Sequence, residues 1–265
     1  MPTNEQRRKA AKRKLERQIE RRAERARRRR QRLSIIAVGA VVAVLAAGIA
    51  IYIATRPSDT TAAPATAAGA CTYTADGQAS RPVQTPDPNP ERTGVVGLTL
   101  QTSQGAIPLT LDRAQAPCAV NAVTSLAQQG FYNDTPCHRL TTGEGLKVLQ
   151  CGDPSGTGSG GPGFRYAEEP PTNLAPSPLG QGASNYARGL VAMAKTSQPD
   201  TTGSQFFLVY ADSALPPEYT VVGRIAPEGL AVLDKVAAAG TDNSNGDGDG
   251  KPRTAVQIQQ AQVQS

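Results

Sequence analysis

From Ile35 to Ala54 the chain carries no charged residue, only Ile, Val, Ala, Leu and Gly with Tyr52 near the end. Twenty residues at helical rise cover roughly the 30 Å of bilayer hydrocarbon. The pattern therefore predicts one transmembrane helix over 34–55. About thirty residues precede it, so an uncleaved anchor fits better than a removable signal. Residues 56–93 show neither helical nor strand period and are rich in Pro, Thr and Ala, which predicts a semi-extended linker. From Gly94 the rhythm becomes that of a folded domain, 94–265. Val95–Gln101 and Ala106–Leu111 alternate apolar and polar residues around Ser103-Gln104-Gly105, which predicts a hairpin. Ala119–Gln129 has apolar residues at helical spacing, with Pro117 at its start and Gly130 at its end. Leu146–Leu149, Leu190–Ala194, Gln205–Val209 and Thr220–Ile225 are short strand patterns. Leu230–Ala239 reads as a second helix and Val256–Ile258 as a last strand. Two helices among many short strands predict a mostly β fold, a closed antiparallel β-barrel.

Charge divides the chain. Residues 1–32 hold 15 of the 28 basic residues and four of the 22 acidic ones, a charge of +11, and the remainder is −5. The basic balance thus belongs to a short tail, expected as a basic cytoplasmic segment over 1–33 with a solvated helix from Lys9 to Arg32. No aromatic residue interleaves it to stack on bases, so nucleic acid is not an expected partner. The cluster Arg25, Arg27, Arg28, Arg29, Arg30 and Arg32 precedes the apolar run, and only Arg56 lies just after it. The positive-inside rule then orients a single-pass protein of a bacterial cytoplasmic membrane, with the N-terminus cytoplasmic and the C-terminal domain outside.

Candidate chemistry is sparse. His138 is the one histidine, which excludes sites built on histidine pairs, and four cysteines without a Cys-x-x-Cys pair argue against a zinc ribbon or a thioredoxin-like centre. No metal or cofactor is expected. The informative segments are Phe131 to Arg139, with its Cys137-His138-Arg139 ending, then Val148-Leu149-Gln150-Cys151-Gly152-Asp153, and Gly203-Ser204-Gln205-Phe206-Phe207-Leu208. A guanidinium beside an imidazole, a glutamine and a Gln-Phe-Phe strand place polar donors next to an apolar patch. No nucleophile–base pair is apparent. Donors and aromatics without acid–base machinery suit binding, or a reaction that transfers no proton.

These three segments, in this order and spacing, resemble the cyclophilin-type peptidyl-prolyl isomerases. The resemblance runs from about Val95 to Ile258 and extends through Met193-Ala194, Leu215 and Tyr219. It implies the cyclophilin-like barrel and rotation about X–Pro bonds of proline-containing peptides and of unfolded or secreted proteins. Arg139 matches the family's arginine, Gln150 the glutamine that holds substrate backbone, and His138 a histidine of the active face. Phe207, Val148, Leu215 and Tyr219 match the walls of the proline pocket. Gln205 lies close by, and Ala194 and Lys195 match the stretch whose backbone pairs with the peptide. Lys147 falls where a pocket aromatic is usual, and the turn from Arg139 to Gln150 is longer than usual. Both departures leave open a weakly active or inactive proline-peptide-binding module of the same fold. Ala214 stands where many relatives carry a tryptophan, which implies weak cyclosporin binding.

Outside the cytoplasm, Cys71, Cys118, Cys137 and Cys151 are expected in disulfides, with three connectivities possible. Cys118–Cys137 with Cys71–Cys151, or Cys137–Cys151, would each brace the Arg139 strand. Gly156–Gly163 lacks the Gly-Lys-Ser/Thr ending of a nucleotide loop and reads as an exposed loop beside the site. Asn245 to Gly250 begins like a calcium loop, but Val256 stands where the bidentate glutamate belongs, so an acidic turn is expected.

Overall fold

The computed structural model describes residues 69–264. The basic segment, the expected membrane helix and the first part of the expected linker lie outside the described residues. Among those described, no helix is long and apolar enough to cross a membrane.

The first strands in chain order are β1 (Thr74–Ala75), β2 (Val95–Thr102), β3 (Gly105–Asp112), β4 (Thr135–Pro136), β5 (Arg139–Thr141) and β6 (Val148–Cys151). Next come β7 (Phe164–Arg165), β8 (Ser184–Tyr186), β9 (Leu190–Met193) and β10 (Phe206–Val209). The last are β11 (Ser213–Leu215), β12 (Val221–Ile225), β13 (Asp249–Gly250) and β14 (Gln257–Gln264). Ten of them form one sheet in the order β13-β5-β6-β10-β9-β12-β3-β2-β14-β4, with β1–β7 and β8–β11 as separate pairs. The predicted hairpin is β2–β3, paired from Val95↔Asp112 to Thr102↔Gly105. The predicted closed barrel is found as a curled sheet. β4 ends it on one side and β5 lies next to its other edge, yet only Cys137 and His138 separate these two strands in the chain. Backbone continuity, not a ladder of hydrogen bonds, joins the ends of the curl.

Helix α1 (Pro117–Gln128) buries Ala119, Val120, Ala122, Val123, Leu126 and Ala127, the face the periodicity predicted. Proline suits its first turn because that position needs no N–H donor. Its flanking residue Ala116 offers no capping side chain. Glu169 caps it from a distance: its carboxylate accepts the Cys118 and Ala119 N–H groups at 3.1 and 2.9 Å. An anion there also faces the positive end of the helix dipole. Helix α2 (Pro227–Ala239) buries Gly229, Leu233 and Val236 and ends at Gly240, whose φ is 77°.

Strand alternation produces two cores. Leu149 and Cys151 of β6, Val191 and Met193 of β9, and Phe206 and Leu208 of β10 fill the inside of the curl with α1 residues. Their neighbours Val148, Leu190, Ala192, Phe207 and Val209 point to the other face and form a second cluster with Tyr186 and Val221. Successive residues of a strand face opposite sides, so strands this apolar must be covered on both. The second cluster is the floor of the functional site.

The segment expected as a linker is fastened to the domain from Cys71 onward. Cys71 is bonded to Cys118 at the start of α1. β1 pairs with β7, and the Tyr73 ring packs edge-on against Phe164 and Tyr166. Arg81 donates to the carbonyls of Gly130, Phe131 and Asn133. The stretch has almost no regular structure, as its composition requires, but Cys71, Tyr73 and Arg81 are all used on the domain. It is a strap.

Candidate active site

Register places the site. Arg139 of β5 lies opposite Gln150 of β6, Gln150 opposite Phe207 of β10, Phe207 opposite Ala192 of β9, and Ala192 opposite Val221 of β12. Directly opposed residues of antiparallel strands share a face. Segments distant in sequence thus line up as one row, from a guanidinium through an amide to an aromatic ring and small apolar residues.

The row opens into a cavity of about 140 Å³ lined by Arg139, Leu146, Val148, Gln150, Ala194, Lys195, Phe207, Leu215 and Tyr219. The Phe207 and Tyr219 rings meet nearly at right angles with centroids 5.6 Å apart. Eight of the expected site residues therefore come together around one hollow. It has apolar walls and a polar rim on the Arg139–Gln150 side.

Arg139 is locked. Its Nε and Nη2 donate to the two carboxylate oxygens of Asp249 at 2.8 and 2.6 Å. Such a two-pronged pair fixes the plane of the guanidinium as well as its position. The remaining nitrogen, Nη1, faces Gln150 with a long 3.4 Å contact to Oε1. β13 makes this possible: Asp249 lies opposite Thr141, two residues along β5 from Arg139 and hence on the same face. The Asp249 hydrogen bond raises the Arg139 pKa further, against a lesser opposing effect of burial. The same bond holds the Asp249 carboxyl below its ordinary value. Of the acidic turn, then, Asp249 is committed to Arg139. Among the described residues no group of three or more His, Cys, Asp or Glu is placed to hold a metal ion.

Gln150 is held in turn. Its Nε2 donates to Gln205 Oε1 at 2.9 Å, and Gln205 Nε2 donates to the Gly158 and Gly160 carbonyls, each at 2.9 Å. Gln205 thus stands beside the cavity as a support and is not part of its lining. The glycine-rich loop that receives it is organised by Asp153, which accepts the Gly158 and Gly160 N–H groups at 2.8 and 3.0 Å. Burial pushes the Asp153 carboxyl up, but hydrogen bonds from Ser155, Gly160 and Gly158 outweigh it and hold it low. Gly152 turns the chain between β6 and this loop at φ 95°. A Cβ there would lie 2.5 Å from the Ser204 carbonyl oxygen, so only glycine fits.

Two expectations are corrected. Lys147 does not line the cavity; Leu146 does. The long turn docks on β11, with the Lys147 N–H donating to Ser213 Oγ and the Ala214 N–H to the Gly145 carbonyl. That docking brings the residue before Lys147 to the wall, so the wall is apolar after all. His138 is not in the cavity either. Its Nδ1 and Nε2 are buried without a hydrogen-bond partner, and a Cβ on Gly158 would come within 3.3 Å of the ring. Burial lowers its pKa, with Asp153 opposing and Arg139 adding. The residue is half-buried, with its ring nitrogens turned under the glycine-rich loop and away from the cavity.

The cysteines pair as Cys71–Cys118 and Cys137–Cys151. The second bridge ties β6 to the residue two before Arg139. Leu146 and Asp249 escape a reading of the sequence alone. A shifted register hides the first, and the 110 residues between Asp249 and its partner hide the second.

Residues 97–263 match the family model described as cyclophilin type peptidyl-prolyl cis-trans isomerase/CLD. The chain belongs to that family and is a peptidyl-prolyl cis-trans isomerase. A protein of Mycobacterium leprae (strain TN) named "Probable peptidyl-prolyl cis-trans isomerase B" is 44% identical over 277 aligned residues, which cover 91% of this chain and 92% of that one. A protein of the same name from Mycobacterium tuberculosis (strain ATCC 25618 / H37Rv) is 49% identical over 167 residues, 62% of this chain and 54% of its own length. The chain matches about half of that relative. The crystal structure of a Cryptosporidium parvum cyclophilin type isomerase superimposes with a TM-score of 0.50 at 26% identity, covering 65% of this chain and 99% of that one.

Proposed function

We propose that Arg139 drives isomerisation by donating a hydrogen bond to the proline nitrogen as the X–Pro amide twists. The planar amide has partial double-bond character and a barrier of about 18–20 kcal/mol. Twisting localises a lone pair on nitrogen, and a fixed donor aimed at that lone pair binds the twisted state better than the planar one. The observation that carries this reading is the Asp249 clamp, which leaves Arg139 charged, immobile and at the rim of an apolar hollow of proline size. Phe207, Val148, Leu146, Leu215 and Tyr219 would grip the ring, and Gln150 would hold the neighbouring backbone. Leu146 in the wall favours an active enzyme over a degraded binding module. In the full chain, Arg139→Ala should lower kcat/KM on an Ala-Pro peptide about tenfold or more while the peptide still binds. An unchanged rate would overturn the mechanism.

The clients we propose are proline-containing, unfolded or secreted proteins outside the cytoplasmic membrane, with the segment 34–55 as anchor. All four cysteines are closed in disulfides, which supports an oxidising compartment. The arginine cluster before the apolar run supports the orientation. Tags at each terminus of the full chain test it: an externally accessible N-terminus would reverse the topology.

A further inference from the structure

Lys195 occupies an unusual place for a lysine. Its side chain is only 6% exposed, and its ammonium pairs at 3.2 Å with Glu218, a residue whose own side chain is 63% exposed. A further contact runs from Nζ to the Thr196 carbonyl at 3.3 Å. Lys195, Gln150 and Ala194 line both the proline-sized hollow and the larger groove beside it, which extends along the glycine-rich loop to Asp76 and Gln78 of the strap. A chain running from the hollow into the groove must pass Lys195.

We infer that Lys195 selects substrates carrying a carboxylate within two residues of the proline, with Glu218 as the displaceable stand-in for that carboxylate. A buried ammonium must keep an anionic partner. Here the partner is the exposed member of the pair, so Glu218 can return to water at little cost. A substrate carboxylate then takes over a site already arranged for it, and no new charge is buried unpaired. The second cation of the hollow, Arg139, is already neutralised by Asp249, which leaves Lys195 as the group that reads charge. At the far end of the groove the exposed Asp76 has the opposite sign. The preference therefore applies next to the proline and fades along the groove. The inference rests on this hollow being the proline site.

The test uses the full chain and peptides identical except for Glu, Gln or Lys at one of the two positions on either side of the proline. Glu should exceed Gln in kcat/KM about fivefold at one of these positions in low salt, with Lys below Gln, and the differences should shrink in high salt. In Lys195→Met the Glu-to-Gln ratio should fall to about one, in Lys195→Arg it should be retained, and in Glu218→Gln it should rise because the internal competitor is gone. A ratio near one at every position in the wild type, or a ratio that survives Lys195→Met, overturns the inference. Binding of the same peptides, followed by fluorescence anisotropy, keeps the two questions apart. Absent turnover of every peptide would count against the proline site, whereas charge selectivity in binding would still decide the role of Lys195.

Discussion

Asp249 is the side chain on which the site's geometry turns. A guanidinium on a long stem has many rotamers, and the donor role proposed for Arg139 requires it to sit within a fraction of an ångström of its target. The bidentate contact to Asp249 supplies that restriction. Asp249→Asn keeps the shape but removes the charge and one of the two acceptors. We expect kcat to fall about tenfold while peptide affinity stays close to wild type, since the apolar walls are untouched. Equal loss in kcat and in affinity would mean that Asp249 merely holds the fold. The pH dependence has a definite sign. The carboxyl titrates below its ordinary 3.8 because Arg139 donates to it. The clamp is therefore intact above that value and is lost only as pH falls through the lowered one. The pH–rate profile of the wild type should therefore show no step from Asp249 titration across neutral and mildly acidic pH.

At the level of elements, the parts legible in the sequence are those carried by short contiguous patterns. The β2–β3 hairpin follows from alternation, α1 and α2 from helical spacing, and β9, β10 and β12 from short apolar runs. Arg139, Gln150 and Phe207 follow from three local segments, and the register that makes them one row then needs no further signal. What stays hidden depends on pairings between segments too short or too polar to announce themselves. β13 is two residues long, and nothing in an acidic turn holding Asp242, Asp247 and Asp249 says which carboxylate meets Arg139. β14 extends over Gln257–Gln264, well past the Val256–Ile258 pattern, because it is paired along β2 and only Ile258 and Ala261 are buried. The lengthened turn before β6 moves Leu146 into the wall, a one-residue displacement that period and composition do not reveal.

For the whole molecule, the strap enlarges the unit that must be considered as the folded domain. Cys71 and Cys118 lie 47 residues apart in sequence, so their bond removes considerable freedom from the unfolded chain. Replacing both with serine in the full chain should cost about 2–4 kcal/mol and lower Tm by about 5–15 °C, as measured by thermal melting without reductant. An unchanged Tm would mean that Tyr73 and Arg81 hold the strap unaided. The curl has a corresponding join. Its two sides meet along Thr135–Thr141, and Arg139 sits on that stretch with Cys137 bonded to β6. Shape and chemistry thus share one seam. On the donor role proposed for Arg139, a copy in which β5 has slipped from β6 loses its donor in the same motion, and turnover then doubles as a gauge of closure.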